Sequence, residues 1–356
     1  MTEHADRARI VVHIAESYAG GVMSAIHDYR RNAPEVSHHL LYATRQDAPL
    51  DASSLQGFES VTKFPPGHLA RIRAVRAMRR RFPTAVLHAH SSYAGVYVRL
   101  AVRASSHRPI AYTPHCYAFE RRDVSGLVRK VFFGAEAILA LNTSVFAACS
   151  RRELALSDWP LSRASRYYVP NVPPQDSAAP DASGRTEDGP LTLVGSGRFG
   201  AQKDPEFFAR AVRSLREQGR ELRALWIGGG DKPELQAAMS DADVEVTGWL
   251  PREEVLRRML SADVYLHSAS WEGFPVGVLE VAALRVPTIV RDITAFQGVS
   301  VPLMITQPNE ILTIWDRLSD SEYRERVADE LDEALADCTD THQQIALQRV
   351  YSTATR

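Results

Sequence analysis

Two carboxylates, Glu272 and Glu280, stand eight residues apart within ADVYLHSASWEGFPVGVLEVAALRVPTIV, residues Ala262 to Val290. Proline is favoured in a first helical turn, where its missing N–H costs nothing, so a helix should open at Pro275 and the amides of Val276, Gly277 and Val278 should point out of its end. Such amides form an anion site. Glu280 follows Val276 by one turn, which sets its carboxylate about 5 Å further along the axis. A nucleotide fits this layout, with its diphosphate on the amides, its ribose hydroxyls on Glu280 and a sugar beyond the phosphate within reach of Glu272. The elements that would hold these groups are a strand from Asp263 to His267, a polar loop, the helix and a second apolar strand, which together make a βαβ unit.

Other residues with chemical potential also sit at strand ends. RIVVHIA, from Arg9 to Ala15, reads as a strand, and Gly20 and Gly21 follow it, where bare backbone lets a substrate approach at Gly21. His115 lies just past the strand Pro109 to Thr113, where open parallel sheets bind ligands. The strand Leu222 to Ile227 ends in Gly228, Gly229 and Gly230, and Gly229 would let a base or ribose come close. Gly195, Gly197 and Gly200 spell G-x-G-x-x-G after a strand, with Glu217 and Glu221 about 20 residues on, a dinucleotide fingerprint. Against it, the next helix should start near Asp204 and Pro205, too late to meet a pyrophosphate. Asp241-Ala242-Asp243 spells D-x-D but reads as a turn at a helix end, so no metal site is expected.

EGFPVGVLE resembles the E-x7-E element of retaining GT-B glycosyltransferases of the family 4 type, which build bacterial polysaccharides and glycolipids from nucleotide sugars. HAHSSxAG from His88, followed by TPHxxxFxRRD from Thr113, is similar to the first domain of that group, with Cys116 where the group usually has glycine. GRFGAQKD is similar to its G-R-x4-K element. The resemblance implies that Arg198 and Lys203 bind the diphosphate, a suitable role for cations because charge gathers on the departing phosphate. It implies further that His115 lines the donor sugar, that the backbone at Leu250 meets the base, and that RDITAFQGV departs from the glycine-rich loop of many relatives.

The implied architecture is α/β, with two Rossmann-like domains facing across a cleft. Residues 1–171 would bind the acceptor, 172–190 would link, and 191–338 would bind the nucleotide sugar. Residues 339–356 would form a last helix crossing back. The implied activity is transfer of a hexose from a nucleoside diphosphate sugar, UDP-linked for preference, to a saccharide or lipid-linked saccharide, with retention and without a metal or other cofactor. The competing readings are a UDP-sugar 2-epimerase on the same fold, an NAD-dependent oxidoreductase and an inert nucleotide-sugar-binding subunit.

Composition sets the outer bounds. A chain of 356 residues, 45% hydrophobic and 24% charged, suits two globular domains. No apolar run approaches the ~18 residues of a membrane span, and MTEHADRAR lacks a signal-peptide core, so a cytoplasmic protein is expected. Three separated cysteines suggest neither disulfides nor zinc. Residues 1–170 carry 23 Lys+Arg against 13 Asp+Glu, or +10, and the remainder carries 19 against 30, or −11. An anionic surface near the first half follows as an expectation, met by Arg73, Arg76 and Arg80 on a helix from Leu69 to Phe82 whose apolar face would be Leu69, Ile72, Val75, Met78 and Phe82. Nothing points to nucleic acid. Closer to the site, a strand Ala137 to Leu141 and a helix Ser144 to Leu154 are expected.

Overall fold

The computed structural model describes residues 9–45, 52–174 and 189–353, so most of the expected linker lies outside the described residues. The chain divides into one unit of Met1–Val172 with Cys338–Arg356 and a second of Pro173–Asp337.

The first unit is a parallel sheet of β1 (Arg9–Ala15), β2 (Val36–Tyr42), β3 (Ser60–Lys63), β4 (Val86–His90), β5 (Ile110–Thr113), β6 (Val145–Ala148) and β7 (Ser165–Tyr168), in the order β3-β2-β1-β4-β5-β6-β7. Parallel strands need crossovers. These are α1 (Gly20–Arg31), α2 (His68–Arg81), α3 (Ser92–Ala101), α4 (Gly126–Ala140) and α5 (Arg151–Leu156). Alternate residues of β1 enter opposite cores: Val12 and Ile14 pack on one face with Leu87 and Tyr112, while Val11 packs on the other with Val86 and Leu347. Both sheet faces are therefore covered.

The second unit holds β8 (Leu191–Ser196), α6 (Pro205–Glu217), β9 (Leu222–Ile227), α7 (Pro233–Asp241), β10 (Glu245–Val246), α8 (Arg252–Leu260), β11 (Val264–His267), α9 (Val276–Ala283), β12 (Thr288–Arg291), β13 (Leu303–Ile305), α10 (Leu312–Trp315) and α11 (Ser321–Ala334). Its sheet order is β10-β9-β8-β11-β12-β13, all parallel. The order reverses between β8 and β11, the switch point where such sheets open a crevice. Trp226 on β9 is fully buried, and its indole N–H reaches the Gly197 carbonyl at 2.9 Å, tying core to loop.

The last helix, α12 (Asp340–Thr353), packs on the first unit. There Asn32 donates to Gln343 at 2.8 Å, Gln343 donates to the Pro170 carbonyl at 2.8 Å, and Arg31 pairs with Asp340 at 2.6 Å. Cys338 lies with this unit too.

Two local expectations are corrected. Residues 137–141 are not a strand: they end α4, while 145–148 form the strand expected to be helical. The apolar AILAL suits either state, and the Ser125 cap, accepting from the Val128 amide, launches a helix that consumes it. On α2, Val75 and Met78 are buried, but Leu69 is 71% exposed and Arg79 is buried instead. Arg79 donates to the carbonyls of Ala85 at 2.8 Å and Pro109 at 3.2 Å, so strand-end carbonyls draw a cation into a place the apolar pattern does not foresee.

Candidate functional site

In the second unit three loops meet at the carboxyl ends of β8, β9 and β11. Gly197, at φ +146°, passes so close to Lys203 that a Cβ there would lie 2.6 Å from Lys203 Cγ. Gly228, at φ +116°, sits against the Gly197 carbonyl, where a Cβ would come within 2.4 Å. Only glycine fits these two positions. Gly229 stands next to Gly248, and a Cβ at Gly229 would lie 3.4 Å from that residue's Cα.

The loop then folds Lys203 onto Glu272, Nζ to Oε1 at 2.6 Å. Gln202 donates to the other oxygen of Glu272 at 3.3 Å and to the Trp271 carbonyl at 3.3 Å. Burial opposes the Lys203 charge, but Glu272 outweighs it and raises the ammonium pKa. Asp204, in left-handed conformation at φ +46°, caps α6 by accepting from the Phe207 amide at 3.2 Å. Its second oxygen takes Arg291 at 2.6 Å and Ser270 at 3.1 Å. Arg291 closes β12 and also lies over the Phe207 ring at 4.3 Å, so it locks the lysine loop to the glutamate loop. The sequence reading misses Arg291; its signal is a charged residue ending an otherwise apolar strand.

The start of α9 differs in one amide from expectation. Pro275 is its N-cap with no side-chain cap, but the Val278 amide turns back to the Pro275 carbonyl at 3.1 Å. That leaves Val276 and Gly277 as the amides facing out. A Cβ on Gly277 would lie 3.3 Å from the Tyr265 hydroxyl, which itself bonds Ser196 Oγ at 2.7 Å, so β8 and β11 press on this turn. Glu280 is buried and meets Arg252 at 2.7 Å. Burial raises its pKa against the pull of Arg252 and Lys203. Leu250 is half-buried just ahead of α8 and packs on the core beneath it. Arg198 is half-buried on the loop after β8.

The dinucleotide reading fails on geometry. Glu217 ends α6 and Glu221 precedes β9, both exposed at the amino end of that strand, opposite the carboxyl ends where Gly197 and Gly228 lie. Asp241 and Asp243 bracket the end of α7, and Asp243, at φ +50°, pairs with Arg216 at 3.1 Å.

In the first unit, Gly20 opens α1 at φ +51° with no residue close to a Cβ, and Gly21 is exposed in the same turn. His115 follows β5 at φ +48°, and Cys116 sits at φ +86°, the left-handed region that favours glycine. The backbone thus keeps a glycine conformation under a cysteine side chain. Glu153 holds it there, one carboxylate oxygen accepting from the Cys116 amide and the other from the Cys149 amide at 3.0 Å. Burial pushes Glu153 up to about 7. Glu153 is another functional neighbour missed in the sequence; Ser150-x-x-Glu153, with Ser150 accepting from the Glu153 amide at 3.1 Å, is a capping-box signal that could have found it.

Behind His115 runs a file of buried histidines. His115 Nε2 lies 3.1 Å from His90 Nδ1, His90 Nε2 lies 3.0 Å from His13 Nδ1, and His13 Nε2 lies 2.9 Å from His38 Nδ1. His38 Nε2 ends on the Ala33 carbonyl at 2.9 Å. His88 stands beside the file, its nitrogens on Thr113 at 2.8 Å and Tyr351 at 3.2 Å. Burial lowers the pKa of every one of these rings. Among the described residues, His13, His88 and His90 are the group whose ligating atoms fall within 4.8 Å of one another.

Comparison with known proteins agrees with this geometry. Glycosyl transferases group 1 match residues 190–313. An uncharacterised 41.2 kDa protein of a Klebsiella pneumoniae cps region is 23% identical over 304 residues, covering 81% of this chain and 82% of its own. The UDP-Gal:alpha-D-GlcNAc-diphosphoundecaprenol alpha-1,3-galactosyltransferase of Escherichia coli is 24% identical over 226 residues, 58% of each chain. Among solved structures, sucrose-phosphate synthase from Thermosynechococcus elongatus superposes with a TM-score of 0.79 at 16% identity, covering 97% of this chain and 98% of that one. Anabaena HepE in complex with UDP and glucose gives 0.74 at 14%, covering 96% and 99%. Residues 190–313 thus match the glycosyl transferases group 1 family, and the chain shares the GT-B fold of two parallel-sheet α/β units with these solved structures.

Proposed function

We propose that the protein transfers a hexose from a UDP-sugar, with retention of configuration and without a metal, to a saccharide or lipid-linked saccharide acceptor. The observation that carries this reading is the Lys203–Glu272 pair at 2.6 Å in the same unit as the open turn of α9. A diphosphate on the Val276 and Gly277 amides takes up the positive helix end, and Arg198 and Lys203 stabilise the charge left when the sugar–oxygen bond breaks toward the phosphate. Glu272 and His115 position the sugar, Glu280 holds the ribose, and Gly229 and the Leu250 backbone flank the base. The acceptor hydroxyl bonds to the anomeric carbon on the face the diphosphate leaves, and its proton departs with that diphosphate. The place of Asp241 and Asp243 at the end of α7, away from the carboxyl ends of the strands, supports a reaction without a cation at D-x-D. Similar proteins support the substrate classes: one is a galactosyltransferase with a UDP-Gal donor and a GlcNAc-diphosphoundecaprenol acceptor, and another was solved in complex with UDP and glucose.

Among the described residues the first unit's buried carboxylates are already engaged, Asp28 with Arg31 at 2.6 Å, Glu136 with Arg99 at 2.9 Å and Glu153 with two amides, which favours transfer over 2-epimerisation. Incubating the enzyme with UDP-hexoses and polyprenyl-diphosphate saccharides, in excess EDTA, tests the reading. An α-linked product from an α-linked donor supports it; inversion, free 2-epimer, or strict dependence on Mn²⁺ overturns the corresponding part.

Membrane contact belongs to the same proposal, with an anionic bilayer on the cytoplasmic face as the surface. It fits α4 better than α2. Leu127, Val131 and Ile138 lie along one side of α4 at 62–73% exposure, with exposed Arg129 and Lys130 beside them, while the helix's one carboxylate, Glu136, is buried on Arg99. Apolar side chains seat at the lipid boundary and the cations meet anionic headgroups. Among the described residues no helix is long and apolar enough to cross a membrane. Salt-sensitive sedimentation with anionic vesicles, lost when Val131 and Ile138 become Glu, is expected; equal failure with anionic and neutral vesicles overturns it.

A further inference from the structure

The histidine file has a direction. The Ala33 carbonyl can only accept, so His38 must present Nε2–H to it at 2.9 Å. A neutral imidazole has one N–H and one lone pair, which leaves Nδ1 of His38 bare and able to accept only from Nε2–H of His13. The same rule passes along to His90 and then to His115: each ring donates from Nε2 and accepts on Nδ1. Every ring in the file is neutral because burial disfavours the cation, and a cation would set two N–H groups against each other.

We propose that His38, His13 and His90 are positioning residues that hold His115 in the Nε2–H tautomer, with a bare Nδ1 as a fixed acceptor for a substrate hydroxyl. This rests on the reading that His115 faces the donor sugar. The file lies on one side of the sheet, His13 on β1, His38 on β2 and His90 on β4, so the backbone ladder fixes ring spacing as well. The rings meet edge to edge and nearly coplanar, His13 and His38 15° apart with centroids at 5.2 Å and His90 and His115 23° apart at 5.3 Å, which aims each ring nitrogen at the next. An imidazole left to itself exchanges tautomers, and only one of them can accept at Nδ1. The file removes that choice before substrate arrives. The nitrogens of His13 and His90 are spent in this chain and those of His88 on Thr113 and Tyr351, so the cluster is a hydrogen-bond network already satisfied without a metal ion.

The test reads tautomers directly. In protein labelled with ¹⁵N-histidine, His115 at pH 7.5 should show a protonated Nε2 and a bare Nδ1, as should His90, His13 and His38. His38→Phe keeps a ring but cuts the anchor three links from His115. It should blur the His115 signal into a mixture and lower kcat on the order of tenfold with the donor KM unchanged. His38→Asn, whose amide oxygen can accept from His13, should restore much of both. A His115 that carries Nδ1–H, or that keeps its signal in His38→Phe, overturns the proposal, as does a change of all four signals on adding Zn²⁺ at one equivalent. The wild-type spectrum suffices if the variants do not fold. Full activity in His115→Ala would instead refute the role of His115 while leaving the file's polarity standing.

Discussion

The ammonium of Lys203 lies 2.6 Å from the carboxylate of Glu272, so each is the other's counter-ion before any donor binds. A diphosphate that enters must draw Lys203 away or share it, and the two residues then separate in role. Lys203→Ala should lower kcat on the order of a hundredfold, as loss of a charge-stabilising donor does. Glu272→Ala should lower kcat too but leave UDP affinity equal or tighter, since it frees the lysine. Isothermal titration with UDP beside steady-state rates separates the two, and weaker UDP binding in Glu272→Ala would reverse the assignment.

Glu280 and Arg252 form a second pair, at 2.7 Å. A ribose contact is made equally in ground and transition states, so Glu280→Ala should weaken UDP binding by about tenfold or more with little change in kcat. Arg252→Ala should weaken it less. Because Arg252 acts through Glu280, the double variant should bind no worse than Glu280→Ala alone, and additive losses would show that the two act independently.

Much of this arrangement was legible. Pro275 gave the start of α9, Asp204-Pro205 gave the start of α6, and the glycines at 197 and 228 marked backbone that admits no side chain. What local pattern could not give was long-range pairing. Glu272 and Lys203 are 69 residues apart and Arg291 and Asp204 are 87 apart, and no periodicity reports such contacts. The histidine file was hidden for a related reason. RIVVHIA, SHHLL and LHAH were legible as strands, yet that four inward histidines would abut one another depends on sheet order. Helix α4 was missed because Leu127, Val131, Phe133 and Ile138 are exposed on it, so apolar residues do not mark its buried side and the amphipathic signal weakens.

Cys116 tests how far the turn after β5 is strained. A non-glycine residue held at φ +86° costs of order 1–3 kcal/mol, part of which glycine would recover. Cys116→Gly should therefore raise stability by about 1 kcal/mol and keep activity, because Glu153 still holds the amide. Glu153→Gln should destabilise by about 1–3 kcal/mol, since its NH₂ would face one of the two amides that now meet oxygen. Urea midpoints of both variants check this, and equal stability of Glu153→Gln and wild type would remove the clamp.

Acid should destabilise the protein, and the sign can be worked out. His13, His38, His88, His90 and His115 have folded pKa values below the ordinary 6.5, with His38 at about 4 and His88 at about 3. Between those values and 6.5 the unfolded chain binds more protons, so stability is full above pH 6.5 and falls as pH drops below it. Glu16, Glu153 and Glu280 oppose this, because their folded pKa values are raised and they hold protons that the unfolded chain has released. Among the described residues eight histidines are lowered, His27, His39 and His267 included, so the loss dominates. Each net proton tilts stability by about 1.4 kcal/mol per pH unit, and the slope between pH 6 and 5 should exceed that of a single proton. Urea unfolding followed at pH 7.5, 6.0 and 5.0 measures it. His13→Leu should flatten the slope by about one proton; an unchanged slope would mean that the file is not buried neutral.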